Sequence, residues 1–320
     1  MKIVLPGGSG QVGTLLARAF HRDGHEVVVL SRDPGPGARP APWRVAAWDA
    51  RGVGGWAREL EGADAVVNLA GRSVNCRYTP ENRRLIKESR VDSVRAVGQA
   101  IARAERPPAV WLQASTATIY AHRYDAANDE AGPLGGSEPG VPETWNFSID
   151  VATAWERALR EAEPLLPATR TVLLRSAIVM APGRGGPFDL LSRLVRLGLG
   201  GRSGDGRQYV SWIHGDDFVR AVYWLIAHRE VAGHVNLAAP HPLPNAAFMR
   251  ELRAAWGVPL GLPAAAWMLE GAALFLRTET ELILKSRRVV PARLLRDGFA
   301  FGFPEWGAAA RDLRRAAGLR

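Results

Sequence analysis

The chain has 320 residues, a formal net charge of +9 and a sequence pI near 10.5. Its one cysteine, Cys76, excludes an internal disulfide framework and fits a reducing cytoplasm, and its longest apolar run, Leu262 to Leu276, is interrupted by Glu270 and too short to span a bilayer. A basic balance would ordinarily point to nucleic acid, but the arginines are scattered among acidic residues with no basic arm and no nucleic-acid motif, so neither nucleic acid nor a membrane is expected as a partner.

In chain order, Ile3-Val4-Leu5 is a short apolar run that meets a glycine cluster, after which Leu15, Leu16, Ala19 and Phe20 share one helical face. This predicts strand, tight turn and helix. Gly8-Gly10-Gly13 fits G-x-G-x-x-G, and Gly7-Gly10-Gly13 fits G-x-x-G-x-x-G. Either spacing lets backbone approach a pyrophosphate while N–H groups at the helix start face the anion. His25 to Ser31 reads as a second buried strand that stops at Arg32. About 20 positions past such glycines, an acidic residue holds a ribose 2′-hydroxyl and an arginine accommodates a 2′-phosphate. Arg32 therefore favours NADP(H) over NAD(H), with Asp33 as a competing neighbour. The first residues carry glycines where a signal peptide needs an apolar stretch, so secretion is not expected.

Asp33 to Pro42 is rich in proline and glycine and reads as a loop. Trp43 to Trp48 is a third strand, Trp56 to Leu60 a short helix, and Ala63 to Gly71 a continuously apolar parallel strand that ends in small residues. Pro80 to Arg103 has a helical period. Val110 to Ala114 is the next strand, and it runs into the hydroxyls of Ser115 to Tyr120, at the edge where open α/β sheets bind ligands. A polar loop over Ala121 to Asn146 precedes a helix from Phe147 to Ala162 and a strand from Thr171 to Val179. Strand-helix alternation over this half predicts an α/β fold, a Rossmann doubly wound parallel sheet over residues 1–180 to which some later segments return. Residues 181–320 then form a smaller, mainly helical substrate lobe. Its expected elements are a helix at Phe188 to Leu199, a strand at Tyr209 to Ile213, a helix from Asp216 or Asp217 to Ile226 and a strand at His234 to Leu237. A buried or half-buried helix at Leu262 to Leu276 and a short strand at Phe299 to Phe303 complete it.

Taken together, the Gly7 to Gly13 turn, Asn68 to Gly71, Ser115 to Tyr120, Trp155-Glu156, Leu173 to Arg175, Gly204 to Tyr209 and Trp212 to His214 resemble the short-chain dehydrogenase/reductase superfamily. The likeness is to its extended, atypical, epimerase-like branch, often labelled NAD-dependent epimerase/dehydratase with a C-terminal domain of unknown function; Val290 to Leu294 and Gly298-Phe299 also fit it. The resemblance implies a cofactor site formed by Gly7, Ser9, Gly10, Gln11, Val12, Gly13, Ser31, Arg32, Asp49, Leu69, Ala70, Gly71, Ser115 and Ile178. It places Arg77, Tyr78, Trp145, Arg207, Tyr209 and Trp212 at the substrate mouth and Thr116 at the position of the substrate-binding Ser/Thr. Members often dimerise through the helices after the fourth and fifth strands. A homodimer is therefore an option here, although no apolar stripe marks it.

Hydride-transferring members use a Tyr-x-x-x-Lys pair on the helix that follows the Ser/Thr strand, the tyrosine serving as acid or base. Tyr78, Tyr120, Tyr124, Tyr209 and Tyr223 are followed four places on by Asn82, Tyr124, Asn128, Ile213 and Ala227, so no such pair exists. Phe147 and Val151 occupy the matching spacing. Two readings follow: an enzyme with another proton donor, for which Tyr120 beside Thr116, Tyr124, Tyr209 and His214 are candidates, or a non-catalytic NADP(H)-binding sensor or regulator.

Overall fold

A computed structural model describes residues 1–32, 41–136, 138–139, 141–276 and 279–318. The first strand, β1 (Lys2–Pro6), is buried by its Ile-Val-Leu run, and α1 (Gln11–Arg22) returns its apolar stripe of Leu16, Ala19 and Phe20 onto it. β2 (Glu26–Ser31) and β3 (Arg44–Ala47) extend the sheet on one side. β4 (Ala65–Asn68) extends it on the other, so β1 lies between Val28 and Val66 in register at Val4. Gly55–Glu59 forms a 3-10 turn rather than an α-helix.

α2 (Pro80–Ala102) starts cleanly because Thr79 accepts from the Asn82 N–H and Pro80 stands in the first turn. β5 (Val110–Thr116), α3 (Asn146–Ala162) and β6 (Arg170–Ser176) follow. The predicted Thr171 to Val179 strand is in fact two: after Ala177 the chain turns into β7 (Ile178–Met180), which leaves the large sheet. α4 (Pro187–Arg196) is shorter than expected. The Tyr209 to Ile213 run likewise divides at Ser211 into β8 (Tyr209–Val210) and β9 (Trp212–His214), the latter paired with β7. α5 (Gly215–Ala227) leads to β10 (Gly233–Leu237), which returns to the sheet edge beside β6.

The result is a seven-stranded sheet in the order β10-β6-β5-β4-β1-β2-β3, every pair parallel. The strand order reverses between β1 and β4, which opens a crevice at their carboxyl ends. One face packs Ile3, Leu5, Leu16, Phe20 and Val222, the other Val4, Val66, Val97, Trp111 and Trp155. Sequence positions beyond 180 thus contribute α5 and β10 to the sheet domain.

The second lobe has its own core, in which Phe188, Trp212, Phe248 and Trp306 meet. It is built from α4, β11 (Leu243–Pro244, paired with β8), α6 (Asn245–Trp256), α7 (Ala266–Leu276), α8 (Glu281–Leu284) and α10 (Trp306–Ala316), whereas α9 (Ala292–Arg296) packs on β10 and places Leu294 in the sheet-domain core. Leu262 precedes α7 and is exposed, as is Trp267 within it, so residues 262–271 are less buried than the apolar sequence suggested, and the side chains of 272–276 lie outside the described ones. No strand forms at Phe299 to Phe303; Phe299 instead packs on the sheet-domain core. The segments that pass between the lobes are tied together, Ala177 N–H donating to Leu237 O at 3.0 Å and Ala239 N–H to Trp212 O at 2.6 Å. Among the described residues no helix is long and apolar enough to cross a membrane.

Candidate active site

At the β1–α1 turn the glycines divide into two kinds. Gly7 has φ +74°, and a Cβ there would stand 2.7 Å from the Ala70 backbone; a Cβ on Gly13 would stand 2.4 Å from Gly8 Cα. These two allow close packing of chain on chain. Gly10, by contrast, is exposed, and a Cβ there would meet nothing nearer than Gly7 O at 3.7 Å. It is also the N-cap of α1, with no side-chain cap and no acidic residue in the first turn. The N–H groups at this helix start therefore face open space, an arrangement suited to a phosphate. The side chain of Val12 packs against the sheet core, while Ser9 and Gln11 are exposed.

Leu69-Ala70-Gly71 lies against this turn, Leu69 N–H donating to Pro6 O at 2.8 Å. Its path is fixed from within: buried Asn68 accepts the Ala70 N–H and donates to Gln113 Oε1 at 2.8 Å. Ser31 Oγ–H reaches Ser9 Oγ at 3.4 Å at the end of β2. Asp49 accepts the Arg51 and Gly52 N–H groups, which lowers its pKa and shapes a turn in which Ala50 has φ 63°. A cavity here is rimmed by Arg32, Arg51 and Arg72, with Asp49 and Ser89 also lining it. Sequence reasoning found Arg32 and missed Arg51 and Arg72, which come to it from separate strand ends; nothing local marks them.

β5 ends in Ser115 and Thr116, whose side chains point to opposite faces. Ser115 Oγ–H donates to Glu156 at 2.7 Å, inside a buried cluster, so its hydroxyl is not offered to a cofactor as expected. Glu156 is gripped by Arg175 at 2.8 Å through both oxygens, and this guanidinium holds the carboxyl below its ordinary pKa against the opposing effect of burial. Arg175 also donates to Tyr120 Oη at 3.0 Å, and Tyr120 donates to Asn236 Oδ1 at 2.8 Å. Tyr120 is 2% exposed and its one proton is committed, so it is a structural residue, not the proton donor the sequence suggested. Glu156 and Arg175 both lie in stretches that carry the family resemblance, but nothing in the sequence showed that they pair.

Thr116 is half-buried, and its Oγ1 accepts the Thr118 N–H at 3.1 Å. Phe147 lies at the start of α3 with Tyr78 edge-on to it at 4.9 Å and the Arg83 guanidinium 5.2 Å from its ring centre. The Tyr78 hydroxyl is hydrogen-bonded to Ser148, and burial with Glu281 nearby pushes its pKa up to about 12. Val151 is buried. Arg77 pairs with Glu279 at 3.6 Å, and Glu279 also accepts the Tyr78 N–H. The C-terminal segment thus closes over this corner: Ser148 donates to Glu281 at 2.6 Å, Lys285 donates to Thr118 O at 3.2 Å, and Arg287 to Thr118 Oγ1 at 3.1 Å. None of Glu281, Lys285 and Arg287 was singled out from the sequence, because their contacts span more than 130 positions.

The remaining expected mouth residues separate. Trp145 is buried against His122 at 5.2 Å, Arg207 stacks over exposed Tyr124 at 5.7 Å, and the Tyr209 ring lies under Arg288 at 4.6 Å. Trp212 is fully buried in the second lobe against Trp306, which removes it from any ligand surface. Ile178 is drawn beside it in β7. His214, another candidate, caps α5 by accepting the Asp216 N–H, stacks on Phe303 at 3.9 Å and faces Asp312 in the interior. Among the described residues no group of His, Cys, Asp and Glu side chains stands close enough to hold a metal ion.

Comparison with known proteins finds relatives along nearly the whole chain. A family model described as NAD dependent epimerase/dehydratase family matches residues 3–238, and one described as a domain of unknown function (DUF1731) matches residues 264–313. The chain is 33% identical over 318 residues to the human epimerase family protein SDR39U1, covering 98% of this chain and 99% of that one. It is 27% identical to the Bacillus subtilis epimerase family protein YfhF, over 98% of both chains. The crystal structure of human SDR39U1 (isoform 2) with NADPH superposes with a TM-score of 0.84 at 31% identity over the whole of both chains. A UDP-N-acetylglucosamine 4-epimerase from Bacillus cereus, at 16% identity and a TM-score of 0.75 over 99% of both chains, shares the fold.

Proposed function

The chain belongs to the NAD dependent epimerase/dehydratase family, and from that premise we propose that it binds NADP(H) and uses it in a reductase, epimerase or dehydratase reaction on an unidentified small molecule. The observation that carries the reading is the open face of Gly10 at the uncapped start of α1, with three arginines around one cavity at the far end of the same crevice. In this assignment the α1 N–H groups hold the pyrophosphate and Leu69 to Gly71 border the ribose. Arg32, with Arg51 and Arg72, receives the 2′-phosphate, whose charge a guanidinium matches with two hydrogen bonds. When bound, the nicotinamide supplies or accepts a hydride. Thr116, its own proton uncommitted among the described contacts, holds a substrate oxygen at the end of β5. The NADPH bound to the human relative supports the same choice of cofactor.

Calorimetry with NADPH and NADH tests it. Tighter binding of NADPH is expected, and equal affinity removes the arginines from their role. A second reading, a non-catalytic NADP(H)-binding sensor or regulator, is favoured by one feature, the Phe147 and Val151 side chains where the superfamily carries tyrosine and lysine. Absence of turnover by a protein that binds NADPH tightly would select it.

A further inference from the structure

Glu281 and Lys285 are each 2% exposed, and they lie at the corner where α3 begins and β5 ends. One oxygen of Glu281 accepts the Ser148 Oγ–H at 2.6 Å. The other, Oε1, has no hydrogen-bond partner although it is fully enclosed. Lys285 Nζ stands 3.8 Å from it, which is an ion pair but beyond hydrogen-bond reach, and buried Arg287 lies beside the same residue, donating to Glu281 O at 3.3 Å. Lys285 spends one N–H on Thr118 O at 3.2 Å, which leaves donors to spare. Thr118 in turn donates its N–H to Thr116, so the pair is joined to the hydroxyl at the end of β5. On the opposite side, Ser148 links it to Tyr78 and adjoins Phe147.

A buried ion pair that leaves a carboxylate oxygen unsatisfied is a poor device for stability, because desolvation of both charges outweighs their attraction unless hydrogen bonds complete them. The missing partner is one atom that can both donate and accept, the description of a hydroxyl or of a carbonyl oxygen that is gaining a proton. We propose that Glu281 and Lys285 form the proton-transfer pair of this site, receiving an alcohol or carbonyl oxygen of the substrate between Glu281 Oε1 and Lys285 Nζ. The inference rests on the NADP(H)-dependent reading above. In the reducing direction the hydride from the nicotinamide adds to the carbonyl carbon, the C=O π pair moves to oxygen, and the proton on Glu281 Oε1 completes the O–H bond. Glu281 is left as a carboxylate beside the Lys285 ammonium. Oxidation runs the same transfers backwards.

The surroundings suit both partners. Burial raises the pKa of Glu281, reinforced by Glu279 and opposed by Arg287, Lys285 and the Ser148 hydrogen bond. Burial likewise lowers Lys285 to about 8, with Arg287 adding to the effect and Glu281 and Glu138 opposing it. A glutamic acid kept protonated towards neutral pH is a competent general acid.

The test compares wild type with Glu281→Gln, Glu281→Asp and Lys285→Met. NADPH affinity is measured by calorimetry, NADPH oxidation with a panel of small aldehydes and ketones by absorbance, and Glu281 titration by NMR of carboxyl-labelled glutamate. Expected are unchanged NADPH affinity in all variants and a kcat for Glu281→Gln lower by ~10²-fold or more at little-changed KM. Partial recovery in Glu281→Asp is expected as well, with one carboxyl signal, missing from Glu281→Gln, that titrates well above the ordinary value of about 4.3. A kcat for Glu281→Gln within about threefold of wild type, an ordinary Glu281 titration, or no turnover by NADPH-bound wild type overturns the pair. Failure of wild type to bind NADPH overturns the cofactor reading instead.

Discussion

The two glycines that flank the first turn of α1 separate packing from ligand contact, and substituting each by alanine tests that division. In Gly13→Ala the new methyl would lie 2.4 Å from Gly8 Cα and 2.5 Å from Gly8 O, against a comfortable carbon–carbon separation of about 3.5–4.0 Å. The Gly8 backbone must move by ~1 Å, but its N–H is bonded to Leu5 O at 3.0 Å and its own Cα faces Leu5 and Val29. Overpacking of this kind costs about 1–3 kcal/mol, which lowers Tm by several degrees at ~2–4 °C per kcal/mol. In Gly10→Ala the methyl meets nothing within 3.7 Å, and φ is −71°, which alanine adopts freely. Stability should fall by only ~0.5 kcal/mol, the weaker N-cap preference. The methyl does, however, fill the space before the helix N–H groups. Loss of one charge-assisted hydrogen bond, about 1.5–3 kcal/mol, corresponds to NADPH binding weaker by roughly 10–100-fold. Thermal unfolding and calorimetry on both variants give the outcome. Wild-type NADPH affinity in Gly10→Ala, or a larger Tm loss there than in Gly13→Ala, would refute the assignment.

Three further outcomes follow from the same geometry. Arg32→Asp should weaken NADPH more than NADH in calorimetry, with Arg51→Ala and Arg72→Ala moving in the same direction; a parallel loss for both cofactors would count against a 2′-phosphate site. Arg175→Met strands the buried Glu156 carboxylate and should cost about 3–5 kcal/mol in urea unfolding at neutral pH. Because the folded pKa of Glu156 lies below its ordinary value, its stabilising contribution is present above about pH 4.3 and disappears as pH falls through the folded value. The deficit of the variant should therefore shrink in acid, and a pH-independent deficit would exclude the ion pair as its source. Tyr120→Phe should lose about 1–2 kcal/mol of stability while NADPH affinity and turnover stay at wild-type values; a large fall in kcat alone would restore Tyr120 as a proton donor.

Elements built from local pattern were legible in the sequence. The apolar runs of β1, β2, β4 and β5 and the amphipathic α1 and α3 lie close to where periodicity placed them, because burial on both faces of a parallel sheet writes itself into consecutive residues. What local pattern cannot express is pairing across the chain. The breaks at Ala177 and Ser211 arise because Ile178 and Trp212 find each other instead of the sheet edge. Ser115 and Thr116 look alike as letters, yet strand alternation sends one hydroxyl to Glu156 and leaves the other in the crevice. Tyr120 is similarly misleading: its partners Arg175 and Asn236 lie 55 and 116 positions away. The acid-base groups of the C-terminal segment were invisible for the same reason, being ordinary charges until the chain folds back over α3.

The straps between the lobes bear on how anything enters the crevice. The chain passes across at Ala177, and again at Ala238 and Ala239, and these passages are hydrogen-bonded to one another and to β9. A hinge needs a few residues free to change φ and ψ together. Here the two crossings run side by side, joined by Ala177–Leu237 where they leave the large sheet and by Ala239–Trp212 where they enter the second-lobe core. Crossings held in this way leave few residues free to act as a hinge. The segment from Glu279 to Arg287 covers the corner through Tyr78, Ser148 and Thr118, and its backbone is anchored as well, Arg287 N–H donating to Tyr209 O at 2.8 Å and Ser286 N–H to His122 Nδ1 at 2.8 Å. The crevice is thus open at the α1 turn and closed at the Thr116 end by a segment held through both its side chains and its main chain.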